Sequence, residues 1–172
     1  VVAVDFYGKF PKTSRGNVTC MTFFDIASHY PEAYAAPDQT ARTTAKCLLK
    51  YMCQYGCPKT LLMDNGSNFK SKVIAELTRL IGIDMSFLSP YSPQGNPVER
   101  FHRWMTAGLA IAAHQDKFGE RWDEALHEIL FAYRTSYNLE EGFTPFQLAF
   151  AREARTPSML SIESLIEEDL PK

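Results

Sequence analysis

The chain has 172 residues, a length that suits a single domain. Hydrophobic residues make up 45% of it and aromatic residues 13%, so it can bury a core and is not disordered in composition. Its 18 basic and 20 acidic residues give a net charge of −2, which excludes a free-standing basic DNA-binding module.

Short apolar runs and amphipathic segments alternate along the chain. Strands are predicted over 1–5, 17–26, 31–36, 60–64 and 85–88. Helices are predicted over 40–55, 71–81, 96–114, 122–137 and 144–150. The short connection at 28–30 favours antiparallel pairing of the second and third strands. Together these elements predict a mixed α/β sheet in one core domain, 1–157, followed by an acidic tail, 158–172.

The four cysteines are Cys20, Cys47, Cys53 and Cys57. They lack the paired spacing of zinc ligands, so we expect free thiols in a reducing compartment. No stretch reaches the ~18 apolar residues of a membrane span, and no signal peptide is visible, so we expect no membrane partner. The chain opens in a strand without an initiator Met, which indicates a fragment of a longer protein.

Three carboxylates occupy positions that are unfavourable for an acidic side chain without a specific role. Asp5 and Asp64 each end a short apolar run typical of a strand, and Glu99 begins a helix. Like charges in one cleft repel, and a buried unpaired carboxylate destabilises the fold or takes up a proton. The three can converge only around positive charge, and all-oxygen ligation suits Mg²⁺ or Mn²⁺. The pattern therefore predicts a divalent-metal site for phosphoryl transfer.

Each carboxylate also has a purely structural interpretation. Glu99 falls at the capping-box position of its helix, a role worth ~1 kcal/mol. Asp64 precedes the turn 65–68, where Asp is favoured. Asp5 could be a strand-end residue paired with a Lys. Asp25 also ends an apolar run and is a rival first carboxylate.

Three parts of the chain carry a resemblance to a known family. Asp5, the run Asp-Asn-Gly-Ser-Asn-Phe at 64–69 and the run Tyr-Ser-Pro-Gln-Gly-Asn-Pro-Val-Glu-Arg at 91–100 resemble the catalytic core of retroviral and LTR-retrotransposon integrases. The spacing of Asp64 and Glu99 matches the D,D(35)E pattern of that family.

The segments 144–148 and 151–157 look like the downstream part of gypsy-type integrases, so the likeness spans nearly the whole chain. The resemblance implies a ribonuclease H-like fold, which is a mixed five-stranded sheet flanked by helices. It also implies two Mg²⁺ or Mn²⁺ ions held by Asp5, Asp64 and Glu99. The implied activity is 3′-end processing of retroelement DNA and its strand transfer into target DNA.

Further residues are candidates for contact with DNA or for support of the carboxylates. The expected DNA contacts are Tyr91, Gln94, Asn96, Arg100 and Arg103. The residues expected to support the site are Asn65, Asn68 and Asp25, and Asp25 could instead support the hairpin of the second and third strands. Ordinary turn chemistry at 94–96 and a solvated helix face at the two arginines are the structural alternatives. Thr106 stands where the family tends to carry a second lysine, which reduces the expected DNA contact of this helix. Pro97 stands where the family often has a small residue.

The resemblance implies further properties of the protein. We expect DNA as the partner and a homodimer as the assembly. We expect the protein to act in the nucleus and to have no small-molecule substrate. The alternative hypothesis is a host-domesticated or inactive relative that serves as a DNA-binding or assembly module. A third hypothesis is an unrelated ribonuclease H-type nuclease that hydrolyses DNA but cannot join strands.

Overall fold

A computed structural model of the chain describes residues 1–88, 97–114, 120–138 and 142–157. In these ranges a central five-stranded sheet is covered by helices on both faces. None of the helices described there has both the length and the apolar character needed to cross a bilayer. The predicted acidic tail, 158–172, lies outside the described residues.

The sheet is mixed, with antiparallel pairs on one side of its first strand and parallel pairs on the other. Its strands are β1 (Val2–Tyr7), β2 (Thr19–Asp25), β3 (Pro31–Ala36), β4 (Thr60–Met63) and β5 (Asp84–Phe87). Their order across the sheet is β3-β2-β1-β4-β5. β1 pairs antiparallel with β2, and β2 with β3, whereas β4 is parallel to both β1 and β5. Helical crossovers lead to the parallel strands, because a short turn can join antiparallel neighbours but not parallel ones.

The described part of the chain contains five helices, and three of them begin at a side-chain cap described there. They are α1 (Ala41–Tyr55), α2 (Lys72–Ile81), α3 (Pro97–His114), α4 (Trp122–Thr135) and α5 (Pro145–Phe150). Thr40 caps α1 and Ser71 caps α2, each accepting a hydrogen bond from the backbone N–H three residues further on. Thr144 caps α5 in a reciprocal capping box with Gln147. Each such cap stabilises its helix by about 1 kcal/mol.

The sheet separates two apolar cores, so the domain has three layers. Phe23 of β2 and Leu48 of α1 are buried in the core beneath α1 and α2. Phe24 of β2 and Phe101 of α3 are buried in the core beneath α3 and α4. Consecutive residues of β2 thus point to opposite faces, as the two-residue period of a strand requires. Because helices cover both faces of the sheet, the central strands appear in the sequence as continuous apolar runs.

The predicted elements are all present, and the predicted mixed five-stranded sheet flanked by helices is confirmed. One boundary matters for the site, since β1 does not end at Asp5 but continues to Tyr7. The antiparallel pairing with β2 extends to Tyr7 opposite Cys20, whereas the parallel pairing with β4 stops at Val4. Asp5 therefore lies inside a strand, at the point where one of its two neighbouring strands ends.

Candidate active site

Three carboxylates from three elements lie near one another at one end of the sheet. Val4 of β1 lies opposite Met63 of β4 in their parallel pairing. The next residue along the chain is a carboxylate in both cases, Asp5 within β1 and Asp64 just after β4, so the two are neighbours where β4 ends. Glu99 is the third residue of α3, which packs on β1 and β2. The topology thus brings together residues that are far apart in the sequence.

Burial and, to a smaller extent, repulsion from the other two carboxylates shift the ionisation of Asp5. Its side chain is only 25% exposed, and burial is the largest cause that raises the pKa of its carboxyl group from 3.8 to about 6. The charge of Asp64 raises this pKa further and that of Glu99 adds a smaller increase, while a backbone hydrogen bond from Phe6 lowers it. No basic side chain is among the causes of this shift, so within the described residues no cation offsets the charge of Asp5.

His102, which the sequence motifs did not single out, links the strand of Asp5 to the helix of Glu99. Its Nε2 lies 3.0 Å from Oγ1 of Thr22 on β2, and its ring stacks on Tyr7 with 4.3 Å between the ring centroids. Its Nδ1 lies 3.9 Å from Oδ2 of Asp5, but burial lowers the pKa of His102 to about 4. The imidazole is therefore neutral at pH 7 and does not offset the charge of Asp5. The spacing of three residues from Glu99 along one helix face is the sequence signal that could have identified it.

The turn after Asp64 is held by short polar contacts. Oδ1 of Asp64 accepts a hydrogen bond of 2.9 Å from the N–H of Gly66. Asn65 donates from Nδ2 to the carbonyl oxygen of Leu88, just after β5, at 2.9 Å, so it anchors the turn to the sheet. A Cβ atom at Gly66 would lie 2.6 Å from Oδ1 of Asn68 and 2.9 Å from Oδ1 of Asp64. A side chain at this position would displace the side-chain oxygens of Asn68 and Asp64, so glycine leaves the space in which Oδ1 of Asp64 reaches the backbone N–H. The supporting role of the two asparagines stays a prediction.

The predicted DNA contacts fall into two groups. Tyr91, Gln94 and Asn96 lie outside the described residues. Arg100 and Arg103 are both exposed on α3. The guanidinium of Arg100 lies near Tyr133 of α4, where its charge partly offsets the burial that raises the pKa of that phenol. The two arginines are accessible to a phosphate backbone, and their role in DNA binding stays a prediction.

Asp25 lies away from this cluster. The antiparallel register places it opposite Val2, whereas Asp5 is opposite Thr22. Along the strand direction, Asp25 is therefore three residues of extended strand, roughly 10 Å, from the level of Asp5. Oδ2 of Asp25 accepts hydrogen bonds from the N–H (3.1 Å) and the hydroxyl (2.6 Å) of Ser28. Asp25 thus lies in the hairpin of β2 and β3, the other role expected of it, because an antiparallel strand ends at the opposite end of the sheet. Its support of the carboxylate site stays a prediction.

The donor set of the cluster fits a hard divalent cation. Within the described ranges, no three His, Cys, Asp or Glu side chains converge closely enough to enclose a metal ion, so the carboxylates form a loose cluster. Asp64 and Glu99 are exposed, and exposed like charges are expected to stay apart. A Mg²⁺ or Mn²⁺ ion would offset the repulsion that raises the pKa of Asp5, and it prefers carboxylate oxygens as ligands.

The fold and the cluster define an α/β domain with an acidic site at the ends of its central strands. Residues 1–93, more than half of the chain, match the family model described as integrase core domain, and the chain belongs to this family. The resemblance seen in the sequence is therefore confirmed.

Several relatives carry a similar segment within much longer proteins. The chain is 26% identical over 158 residues to the retrovirus-related Pol polyprotein from transposon 412 of Drosophila melanogaster, which covers 91% of this chain and 13% of that protein. It is 27% identical over 169 residues to the human gypsy retrotransposon integrase-like protein 1, covering 98% of this chain and 32% of that protein. It is 32% identical over 132 residues to the Gag-Pol polyprotein of feline leukemia virus, covering 76% of this chain and 8% of that protein. The chain spans less than a third of each of these relatives.

Two solved structures have the same fold. The catalytic core domain of BIV integrase superposes with a TM-score of 0.70 at 24% identity, over 96% of this chain and 97% of that one. The HTLV-2 integrase catalytic core domain, solved in complex with magnesium in a trimeric form, gives a TM-score of 0.71 at 19% identity, over 86% and 94%. These similarities confirm the ribonuclease H-like fold predicted from the sequence.

Proposed function

We propose that this chain is the catalytic core of a retroelement integrase, which processes the 3′ ends of element DNA and joins them to target DNA. The observation that carries the proposal is the cluster of Asp5, Asp64 and Glu99, which separate parts of the fold bring to one end of the sheet and in which burial and like charges raise the pKa of Asp5. Such repulsion destabilises the folded chain, so a functional role accounts for it better than a structural one. Membership in the integrase core domain family supports the proposal.

The three carboxylates would hold two divalent ions, Mg²⁺ or Mn²⁺. Bound ions would neutralise charge on the scissile phosphate and make an attacking oxygen more nucleophilic at neutral pH. The magnesium present in the HTLV-2 domain supports this assignment. β1 and β4 set the adjacency of Asp5 and Asp64, and His102 holds α3 against the sheet without adding charge.

The proposed reaction needs no covalent bond between protein and DNA. In end processing, water attacks a phosphodiester, one P–O bond forms and another breaks, and a 3′-hydroxyl is left on the element end. In strand transfer that hydroxyl attacks a phosphodiester of the target, with the same exchange of P–O bonds. The roles of this chain's residues are to hold the reacting phosphate and to position the carboxylates.

DNA is the proposed partner, in a homodimer or higher oligomer that acts in the nucleus. The proposed DNA contacts are Tyr91, Gln94, Asn96, Arg100 and Arg103. Because the net charge is −2, phosphate contacts made by this core alone would be weak and would depend on ionic strength.

The test is reversal of strand transfer on a branched DNA mimic of the joined product, with Mn²⁺. Wild-type protein is expected to resolve the branch, and Asp64→Asn is expected to fall to background. Asp84→Asn makes the same chemical change at an exposed residue of β5 and should keep full activity. An Asp64→Asn variant as active as the wild type would contradict the proposal.

A host-domesticated or inactive module that binds DNA or assists assembly is the second candidate. The similarity to the human integrase-like protein along 98% of the chain favours it. This candidate predicts that folded wild-type protein binds Mn²⁺ and DNA yet leaves the branched substrate intact. Resolution of the branch would exclude an inactive module.

A further inference from the structure

Two hydrogen bonds of Thr22 fix which ring nitrogen of His102 carries a hydrogen. The hydroxyl of Thr22, on β2, donates to the carbonyl oxygen of Asp5 at 3.0 Å, and this bond uses its single hydrogen. Nε2 of His102 lies 3.0 Å from the same hydroxyl oxygen, which can therefore only accept from it. The imidazole is 12% exposed, and burial favours its neutral form with one N–H. That hydrogen lies on Nε2, so Nδ1 is left as a hydrogen-bond acceptor.

A second set of contacts fixes the orientation of this ring. Tyr7, on β1, stacks on the imidazole with 21° between the ring planes. The hydroxyl of Thr106 donates to the backbone carbonyl of His102 at 2.8 Å, so it accepts the hydrogen of the Tyr7 hydroxyl. Tyr7 is thereby tied to α3, the helix that carries His102. The imidazole is consequently held at Nε2 and on one face, and its Nδ1 lies next to Asp5.

Two hydrogen-bond acceptors therefore lie side by side at the carboxylate cluster. Nδ1 of His102 is 3.9 Å from Oδ2 of Asp5, which is too far for a direct hydrogen bond. An oxygen atom about 2.8 Å from both, an ordinary hydrogen-bond distance, fits this separation. Only a group that donates a hydrogen can bond to Nδ1 there, which excludes the phosphate oxygens of DNA. The hydroxyl group of water or of a sugar meets this requirement.

We propose that Nδ1 of His102 accepts a hydrogen bond from the attacking hydroxyl group and so orients it beside Asp5. This inference rests on the proposed function, in which water attacks in end processing and a 3′-hydroxyl attacks in strand transfer. Both groups carry an O–H, so one acceptor serves both steps. With its hydrogen directed at Nδ1, the attacking oxygen turns a lone pair away from His102, where it can reach the phosphorus. Thr22 is a positioning residue, since it acts through the tautomer of His102.

Two replacements of His102 separate this role from a structural one. Glutamine can place an N–H near the position of Nε2 and keep the bond to Thr22, but it has no acceptor near the position of Nδ1. Asparagine can place its oxygen near the position of Nδ1 but is too short to reach Thr22. Both variants are assayed on the branched DNA mimic with Mn²⁺, in which a 3′-hydroxyl attacks. His102→Gln is expected to fall about 100-fold below the wild type, and His102→Asn to stay at least about tenfold above His102→Gln.

Stability and metal affinity are measured on the same two variants. Urea denaturation should rank them in the opposite order, because only His102→Gln keeps the link to Thr22. Electron paramagnetic resonance should show wild-type affinity for Mn²⁺ in both, since His102 is not a proposed metal ligand. Activity that follows stability, with His102→Gln the more active, would indicate a structural role and overturn the proposal. Lost Mn²⁺ affinity in His102→Gln would indicate a metal ligand and overturn it as well. If His102→Asn does not fold, His102→Gln decides alone.

The tautomer of His102 can be tested without any activity. Two-bond ¹H–¹⁵N correlation spectra of the metal-free wild type should show the hydrogen on Nε2. Thr22→Ser keeps the hydroxyl and should keep this tautomer, whereas Thr22→Val removes the acceptor and should shift the hydrogen towards Nδ1. A hydrogen on Nδ1 in the wild type would overturn the proposal, whatever the activity of the variants.

Failure of this proposal and failure of the proposed function give different results. A wild type that leaves the branched DNA intact overturns both. A wild type that resolves the branch, together with an equally active His102→Gln variant, overturns only the role of His102.

Discussion

Replacement of Asp5 by Asn is expected to stabilise the metal-free protein while abolishing its proposed activity. The carboxyl group of Asp5 is largely buried and faces two further carboxylates, so its ionised form is unfavourable in the folded state. Asn has the same shape and can still accept the backbone hydrogen bond from Phe6, but it carries no charge.

The size of the effect follows from the pKa of Asp5, which rises from 3.8 to about 6 on folding. Each pKa unit corresponds to about 1.4 kcal/mol, so ionised Asp5 destabilises the fold by up to about 3 kcal/mol. Because the folded-state pKa lies above the unfolded value, the folded protein binds more protons between about pH 4 and pH 6. Its free energy of unfolding therefore falls as the pH rises through this window, and the full penalty remains at pH 7.

Urea denaturation in EDTA at pH 7 and at pH 4 tests this expectation. The Asp5→Asn variant should exceed the wild type by up to about 3 kcal/mol at pH 7, and the difference should vanish near pH 4. Asp84→Asn, at an exposed strand position, should match the wild type at both pH values. Added Mg²⁺ should stabilise the wild type far more than the variant. A variant no more stable than the wild type at pH 7, or a difference that does not depend on pH, would refute the reasoning.

Three other outcomes are expected. Gly66→Ala places a methyl group 2.9 Å from a carboxylate oxygen of Asp64 and would displace that carboxylate. Resolution of the branched DNA should therefore fall on the order of 100-fold. Unchanged activity would count against the geometry of this turn. Arg134→Ala leaves the buried carboxylate of Glu32 unpaired and should lower the free energy of unfolding by about 3–5 kcal/mol in urea titrations, whereas Arg79→Ala, in an exposed ion pair, should change it little. Fluorescence anisotropy should show weak DNA binding that falls steeply with added salt, and tight salt-independent binding would contradict the proposed role of phosphate contacts.

The sequence alone predicted most of the local structure and the members of the carboxylate cluster. Period-two and period-3.6 apolar patterns marked the strands and helices, because those patterns reflect which faces are buried. The predicted helices over 40–55 and 71–81 begin one residue later in the structure, where Thr40 and Ser71 are the N-caps. The resemblance of the motifs around Asp64 and Glu99 to integrase cores then pointed to the fold.

Contacts between distant segments were decided only by the tertiary structure. The register of β1 with β2 moved Asp25 away from Asp5, although both residues follow apolar runs. The contacts of His102 with Thr22 could not be read from the chain, because they join a helix to a strand 80 positions away. Propensity and periodicity act over a few neighbouring residues, whereas strand register and helix packing depend on how whole surfaces fit together. Local sequence therefore determined which groups this protein carries, and the packing of its sheet and helices decided which of them meet.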